Sequence, residues 1–382
     1  MIARTPPMGW NTWNTFGADI NEKMILETVD TIVEQGYKDA GYEYIVIDDC
    51  WLLMDRDENG DLVTDPEKFP HGMKYVADYI HSKGLKFGMY SCAGVRTCQG
   101  FPSSYDHEYQ DARLFARIGI DFLKYDYCNF PNYANNKNRY LTMSMALKST
   151  GRDILFSACN WGKGEPWNWM RSIGAHMYRS TGDIIDTYES FANIIRLQID
   201  NMNANSPGCF NDIDMLTVGM YGKGHVSREN SCTFDEYATQ FAFWCFAGAP
   251  LMMGCDIRDV DDGCKKLLLN KHLIAINQDL ECRPLYQANG TTKDYPIMIR
   301  FLENGEFALA FFNLKDADRT LEMPFPDLGI QYHSGVGVDL TEILLTEDRI
   351  GETEHFGIRR DDMRIRVKAH SCRIFRAKLV TL

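Results

Sequence analysis

A short apolar run, closed in most cases by polar or acidic residues and followed by a stretch with helical periodicity, recurs along the first 280 residues. This alternation constrains the fold more than any other feature of the chain. The runs are MGWNTW (8–13), YEYIVIDD (42–49), LKFGMYS (85–91), IDFLKYDY (120–127), DILFSAC (153–159), AHMYRST (175–181), CFNDID (209–214) and PLMMGCD (250–256). Amphipathic segments at 23–35, 70–83, 106–118, 136–149, 189–202, 234–247 and 260–270 separate most of them. Strands buried on both faces read as continuous apolar runs, and strands alternating with helices imply parallel pairing. Eight units of about 35 residues match the size of a (β/α)8 TIM barrel in the α/β class. A doubly wound open sheet is the rival, but the Gly-rich turn that often marks one is missing after the first run.

From about residue 290 the texture changes. Residues 295–314 read as two strands around a Glu-Asn-Gly turn, and Asn-Gly is a strong hairpin signal. Short segments at 320–324, 337–345, 363–368 and 371–378 continue the pattern. The expected organisation is a barrel over 1–285 followed by an antiparallel β-sandwich domain over 286–382. With 40 Lys and Arg against 53 Asp and Glu the chain carries −13, which disfavours nucleic acid and anionic membrane surfaces as partners. No apolar run approaches the roughly 18 residues needed to span a bilayer. The N-terminus has no apolar signal core, and the twelve cysteines are too sparse for a disulfide scaffold. The expected compartment is cytoplasmic, or secreted if a leader has been removed.

Acidic and aromatic residues gather where the runs end. The second ends in Asp48-Asp49-Cys50-Trp51, the fourth in Lys124-Tyr125-Asp126, the sixth runs into Arg179 and Asp183, and the seventh carries Asp212 and Asp214. In such a barrel the C-terminal strand ends converge on the active-site face. Carboxylates with Trp10, Trp13, Trp51, Tyr90 and Trp161 nearby describe a sugar site, since carboxylates bind hydroxyls and rings stack on the C–H face of a pyranose. Each element also has a plain structural reading. A strand-end Asp is often a helix N-cap, Asp48 and Asp49 point oppositely if both lie in a strand, Trp10 and Trp13 suit a core, and Asp212 and Asp214 read best as supporting groups. Lys124 shares a strand face with Asp126 and is expected to favour its ionised form. Coincidence at four separate strand ends favours a site.

The segments PPMGWNTWNTF, GYEYIVIDDCW, FPHGMKYVADYIHSKGLKFGMYSCAG, DFLKYDYC, FNDIDML and IAINQD together resemble glycoside hydrolase family 27, the α-galactosidase and α-N-acetylgalactosaminidase (melibiase) family. The resemblance covers positions 6 to 280. It implies a retaining exo-glycosidase that removes a terminal α-linked galactose-type sugar, with Asp126 as nucleophile and Asp183 as acid/base. It also implies sugar contacts by Trp13, Asp48, Asp49, Tyr90, Lys124, Arg179 and Asp214, and a disulfide between Cys98 and Cys128 beside the pocket. Retention calls for carboxyls about 5–5.5 Å apart, with the acid's pKa raised by the nucleophile's charge.

Where the family's galactosidases commonly read Cys-Glu-Trp, this chain reads Cys159-Asn160-Trp161. Asn160 and Trp161 are therefore expected at the sugar, with a slightly roomier 2-position. Galactose is favoured over N-acetylgalactosamine, and β-L-arabinopyranosides are the further alternative. A metal-dependent hydrolase is disfavoured because the nine histidines lie mostly away from the strand ends; no cofactor or metal is called for. A non-catalytic sugar-binding barrel is the reading from a different class. Short galacto-oligosaccharides such as melibiose or raffinose are the expected substrates, and oligomeric state, a homo-oligomer included, is left open.

Overall fold

The computed structural model describes residues 1–201 and 204–382. Eight parallel strands form the first sheet: β1 Met8–Asn11, β2 Tyr44–Val46, β3 Lys86–Cys92, β4 Phe122–Asp126, β5 Leu155–Cys159, β6 Met177–Arg179, β7 Phe210–Asp212 and β8 Leu251–Met253. Their order is β7-β6-β5-β4-β3-β2-β1-β8. Leu216 closes the ring, its N–H donating to the Met252 carbonyl while its own carbonyl accepts from Gly254 N. The helices between and after the strands are α1 Trp13–Phe16, α2 Glu22–Glu34, α3 Gly72–Ser82, α4 Glu108–Ile118, α5 Asn136–Ser149, α6 Tyr188–Gln198, α7 Phe234–Ala247, α8 Asp262–Leu268 and α9 Lys271–Asn277. The segment expected as a helix over 189–202 is helical over Tyr188–Gln198; its last position lies outside the described residues.

Strand alternation divides the barrel into two chemical layers. Tyr44, Val46, Phe122, Leu155, Met177 and Met252 point inward and form an apolar plug. The residues between them, such as Ile45, Leu123, Phe156 and Tyr178, face outward and pack under the helices. Gly88 on β3 makes room for the plug: a Cβ there would sit 2.8 Å from Val46 Cγ2 and 3.1 Å from Phe122 Cβ. Helices α2, α3, α4 and α6 complete the outer layer by ordinary amphipathic logic. In α2, Asn21 caps the Met24 N–H, and Met24, Ile25, Val29 and Ile32 turn to the core.

The C-terminal region is antiparallel. A six-stranded sheet runs β14-β13-β16-β11-β10-β9, from β9 Tyr286–Gln287, β10 Ile297–Phe301, β11 Phe307–Asn313, β13 Val336–Ile343, β14 Thr353–Arg359 and β16 Ser371–Thr381. A two-stranded sheet of β12 Arg319–Met323 and β15 Met363–Val367 accompanies it, and Leu321, Met323, Ile365 and Val367 share a core with Leu309, Phe311 and Phe375. Every residue of β11 is buried, with Ala308, Ala310 and Phe312 joining the barrel's core while Phe307, Leu309 and Phe311 join the sandwich core. Helix α7 is the barrel element facing it. Thr233 and Glu236 form a reciprocal capping box at its start, and at its end buried Arg300 of β10 donates to the Cys245 and Phe246 carbonyls at 3.3 and 3.1 Å.

Two sequence expectations change. Strand β2 stops at Val46, so Asp48 and Asp49 lie on the following loop rather than alternating within a strand. β14 has no counterpart among the expected strands, because it is an edge strand with mostly exposed side chains and carries no apolar alternation.

Candidate active site

The alternation that builds the plug also builds the site above it. On β4, Phe122 belongs to the plug, so Lys124 and Asp126 follow on the same inward face. On β6, Met177 does the same for Arg179. The strand register sets Tyr90 beside Lys124, Cys92 beside Asp126 and Cys159 beside Arg179. Beyond the strand ends, Trp13, the adjacent Asp48 and Asp49, Trp161, Asp183 and Asp214 enter from five different loops or short helices. A pocket of about 510 Å³ results, within the usual range for small-molecule sites.

The expected residues Trp13, Asp48, Asp49, Tyr90, Cys98, Lys124, Asp126, Cys128, Trp161, Arg179, Asp183 and Asp214 all line this pocket. Asn160 does not. It is fully buried, its Nδ2 donates to the Lys163 carbonyl at 2.7 Å, and among the described residues its Oδ1 has no partner.

Lys124 pairs with Asp48 rather than with the adjacent Asp126. Its Nζ donates to Asp48 Oδ2 at 2.8 Å, and Asn11 Nδ2 donates to the same oxygen at 2.7 Å. Burial would lower the Lys124 pKa, but the charges of Asp48 and then Asp126 outweigh it and leave the ammonium more basic than usual. Asp126 is 5 % exposed, and burial raises its pKa above the ordinary carboxylate value. Lys124 and the Tyr127 N–H, which donates to Oδ1 at 2.8 Å, pull against that rise; the negative charges of Asp48 and Asp183 add to it. Lys124 therefore favours the ionised form of Asp126, but its ammonium is shared with Asp48 and burial is the larger influence.

Asp49 accepts from Gln99 N at 3.0 Å and Cys50 N at 2.8 Å. Burial still pushes its pKa up to about 6. On the opposite wall Arg179 bonds both Asp214 and Asp183, the latter at 2.8 Å. Asp214 also accepts from Ile184 N at 2.6 Å, so it anchors the arginine and the backbone next to Asp183 together. Burial raises the Asp214 pKa to about 6 against the pull of Arg179, with Asp183 and Asp212 adding to the rise. The Asp183 side chain is 70 % exposed, so the two carboxyls expected to do chemistry differ sharply: Asp126 lies deep and Asp183 at the mouth. Asp186, three residues on, is fully buried and holds Tyr237 Oη at 2.7 Å and Gly222 N at 2.9 Å.

Gln99, His225 and Arg228 line the pocket without having been expected there. His225 meets the Trp13 ring edge to face, 4.9 Å between centroids. The connection from 215 to 231 that brings it in contains Gly219, Gly222 and Gly224. At Gly224, φ is +105° and a Cβ would lie 2.8 Å from Thr15 Cα, so only glycine lets this loop lie against α1. A long glycine-rich connection is itself a functional signal.

A family model described as "Alpha galactosidase A" matches residues 5–279. The chain is 41% identical over 343 residues to an α-galactosidase of Cyamopsis tetragonoloba, covering 90% of this chain and 80% of that protein. It is 38% identical over 377 residues to α-galactosidase 3 of Arabidopsis thaliana, covering 98% and 82%. The crystal structure of α-galactosidase I from Mortierella vinacea superposes with a TM-score of 0.89 at 31% identity, covering 98% of this chain and 97% of that one.

Proposed function

The chain belongs to glycoside hydrolase family 27, the melibiase family, and from that premise we propose that its pocket uses Asp126 and Asp183 to release terminal α-linked galactose. The protein is a glycoside hydrolase, a retaining α-galactosidase. The observation that carries the residue assignment is the placement of one buried and one exposed carboxyl in a single pocket. A nucleophile belongs where water is excluded and the anomeric carbon sits. An acid that protonates the leaving oxygen belongs where the rest of the glycan emerges.

Asp126 attacks the anomeric carbon while Asp183 donates its proton to the glycosidic oxygen, and the aglycone leaves as an alcohol. Asp183, now a carboxylate, takes a proton from water as that water attacks the glycosyl–Asp126 ester. Galactose departs with its configuration retained, and both carboxyls return to their starting states. Asp48, Asp49, Lys124, Arg179 and Asp214 supply the polar wall for the hydroxyls, with Tyr90, Trp13 and Trp161 as the flat surfaces. The catalytic unit is assigned to residues 1–285, with 286–382 as the β domain. Short galacto-oligosaccharides are the proposed substrates. Among the described residues no helix is long and apolar enough to cross a membrane.

Parallel hydrolysis of p-nitrophenyl α-galactoside, α-N-acetylgalactosaminide and β-L-arabinopyranoside tests the reading. The galactoside should be preferred, and Asp126→Asn should lower kcat/KM by about three orders of magnitude or more. Undiminished turnover in that variant would remove Asp126 as nucleophile, and preference for another glycoside would move the substrate assignment alone.

A further inference from the structure

The disulfide between Cys98 and Cys128 has its Cα atoms 5.0 Å apart and lies against Asp126. Both sulfurs and one Asp126 carboxylate oxygen fall within 4.8 Å of one another, with Cys98 Sγ 3.7 Å from Oδ2. We propose that, once a dithiol opens this bridge, Cys98, Cys128 and Asp126 form a three-ligand site for a thiophilic divalent cation, zinc for example, which shuts the enzyme by occupying its nucleophile.

Zinc binds thiolate sulfur at about 2.3 Å and carboxylate oxygen at about 2.0–2.2 Å, tetrahedrally. Two such ligands on one ion stand about 3.5–3.8 Å apart, which Cys98 and Asp126 already satisfy. The remaining adjustments are for the two sulfurs to rotate away from bonding distance and for Cys128 Sγ, within 4.8 Å of the carboxylate oxygen, to settle at the same ligand spacing. Cys98 is exposed, giving a reductant access, whereas Cys128 and Asp126 are buried. The Tyr90 hydroxyl lies 3.3 Å from Cys98 Sγ and can donate to a thiolate there, the kind of outer partner that orients a metal ligand. Asp48, Asp49 and Asp183 line the same pocket and favour a cation against the opposing charges of Lys124 and Arg179.

The chemistry balances. The dithiol becomes its cyclic disulfide, giving two electrons and two protons to the bridge, which becomes two thiols. The cation then displaces both thiol protons to solvent and takes the Asp126 carboxylate as third ligand, leaving its fourth position to pocket water. Only the effect on turnover rests on Asp126 being the nucleophile.

The test compares oxidised enzyme with enzyme reduced by dithiothreitol and desalted without oxygen. Reduction should add two thiols to the titratable count. Zn2+ should then inhibit hydrolysis of p-nitrophenyl α-galactoside at a concentration at least tenfold lower than for oxidised enzyme, reversed by a chelator and opposed by galactose. Co2+ should give a thiolate-to-metal absorption band in the reduced form alone. Cys98→Ser and Cys128→Ser, each referred to its own zinc-free rate, should show the low sensitivity of the oxidised protein and no full-strength band. Equal sensitivity in both redox states, a bridge that dithiothreitol cannot open in the folded protein, or a full-strength cobalt band in both variants would overturn the proposal. A cobalt band in reduced enzyme whose turnover zinc leaves untouched would keep the site and refute Asp126 as nucleophile.

Discussion

Replacing Asp49 by Asn tests how much stability the pocket sacrifices to keep its carboxylates. Asp49 is 1 % exposed, and burial lifts its pKa to about 6 from the ordinary 3.8. Between those values the native state holds a proton that the unfolded chain has released, so stability falls as pH rises through that window. The gap is about 2 units at 1.36 kcal/mol each, so wild type should lose about 3 kcal/mol between pH 4 and pH 7 through this residue. The Asn variant has nothing to titrate there. It carries a constant penalty instead, because its single carbonyl cannot accept from both Gln99 N and Cys50 N, and a lost buried acceptor costs about 1–3 kcal/mol. Denaturant midpoints at half-unit steps of pH separate the two effects. The penalty displaces the variant's curve uniformly, whereas the titration makes the curves converge or cross as pH rises. Parallel curves between pH 4 and pH 7 would refute the reasoning.

Two further substitutions probe the walls. Arg179→Met strands buried Asp214 without its partner and should cost about 3–5 kcal/mol; adding Asp214→Asn, neutral but still able to accept from Ile184 N, should recover much of that loss in denaturant midpoint while activity stays absent. Asn160→Glu places a carboxylate in a fully buried position and should destabilise the fold by several kcal/mol without improving galactoside KM. A lower KM in a stable Asn160→Glu protein would show that the side chain reaches the sugar.

The barrel was legible because its strands are buried on both faces, so their runs stand out from the flanking helices. The active-site face was legible for a related reason: Lys124, Asp126 and Arg179 interrupt inward-facing apolar columns, and a charge in such a column belongs above the plug. Pairing was less legible. Strand alternation placed Lys124 beside Asp126, but its partner Asp48 comes from a loop 76 residues earlier, and no local pattern encodes that reach. His225 and Arg228 arrive on a long connection whose path depends on glycine contacts. Asn160 follows a strand end like its neighbours, yet its amide turns inward to the Lys163 carbonyl. β14 escaped notice because an exposed edge strand has no apolar face to declare.

Helix α7 has twelve of its fourteen residues buried, partly beneath strands that belong to the far end of the chain. All eight barrel strands and α9 have been synthesised by Asn277, yet Ala308, Ala310, Phe312 and Ile374 have still to reach the barrel's core. At roughly 5–20 residues per second, the ribosome needs on the order of 5–20 s to deliver the last of these strands. Throughout that interval a nascent barrel holds an unfinished apolar wall towards solvent, so the moment at which this chain becomes safe from aggregation is set by the synthesis of its final strand.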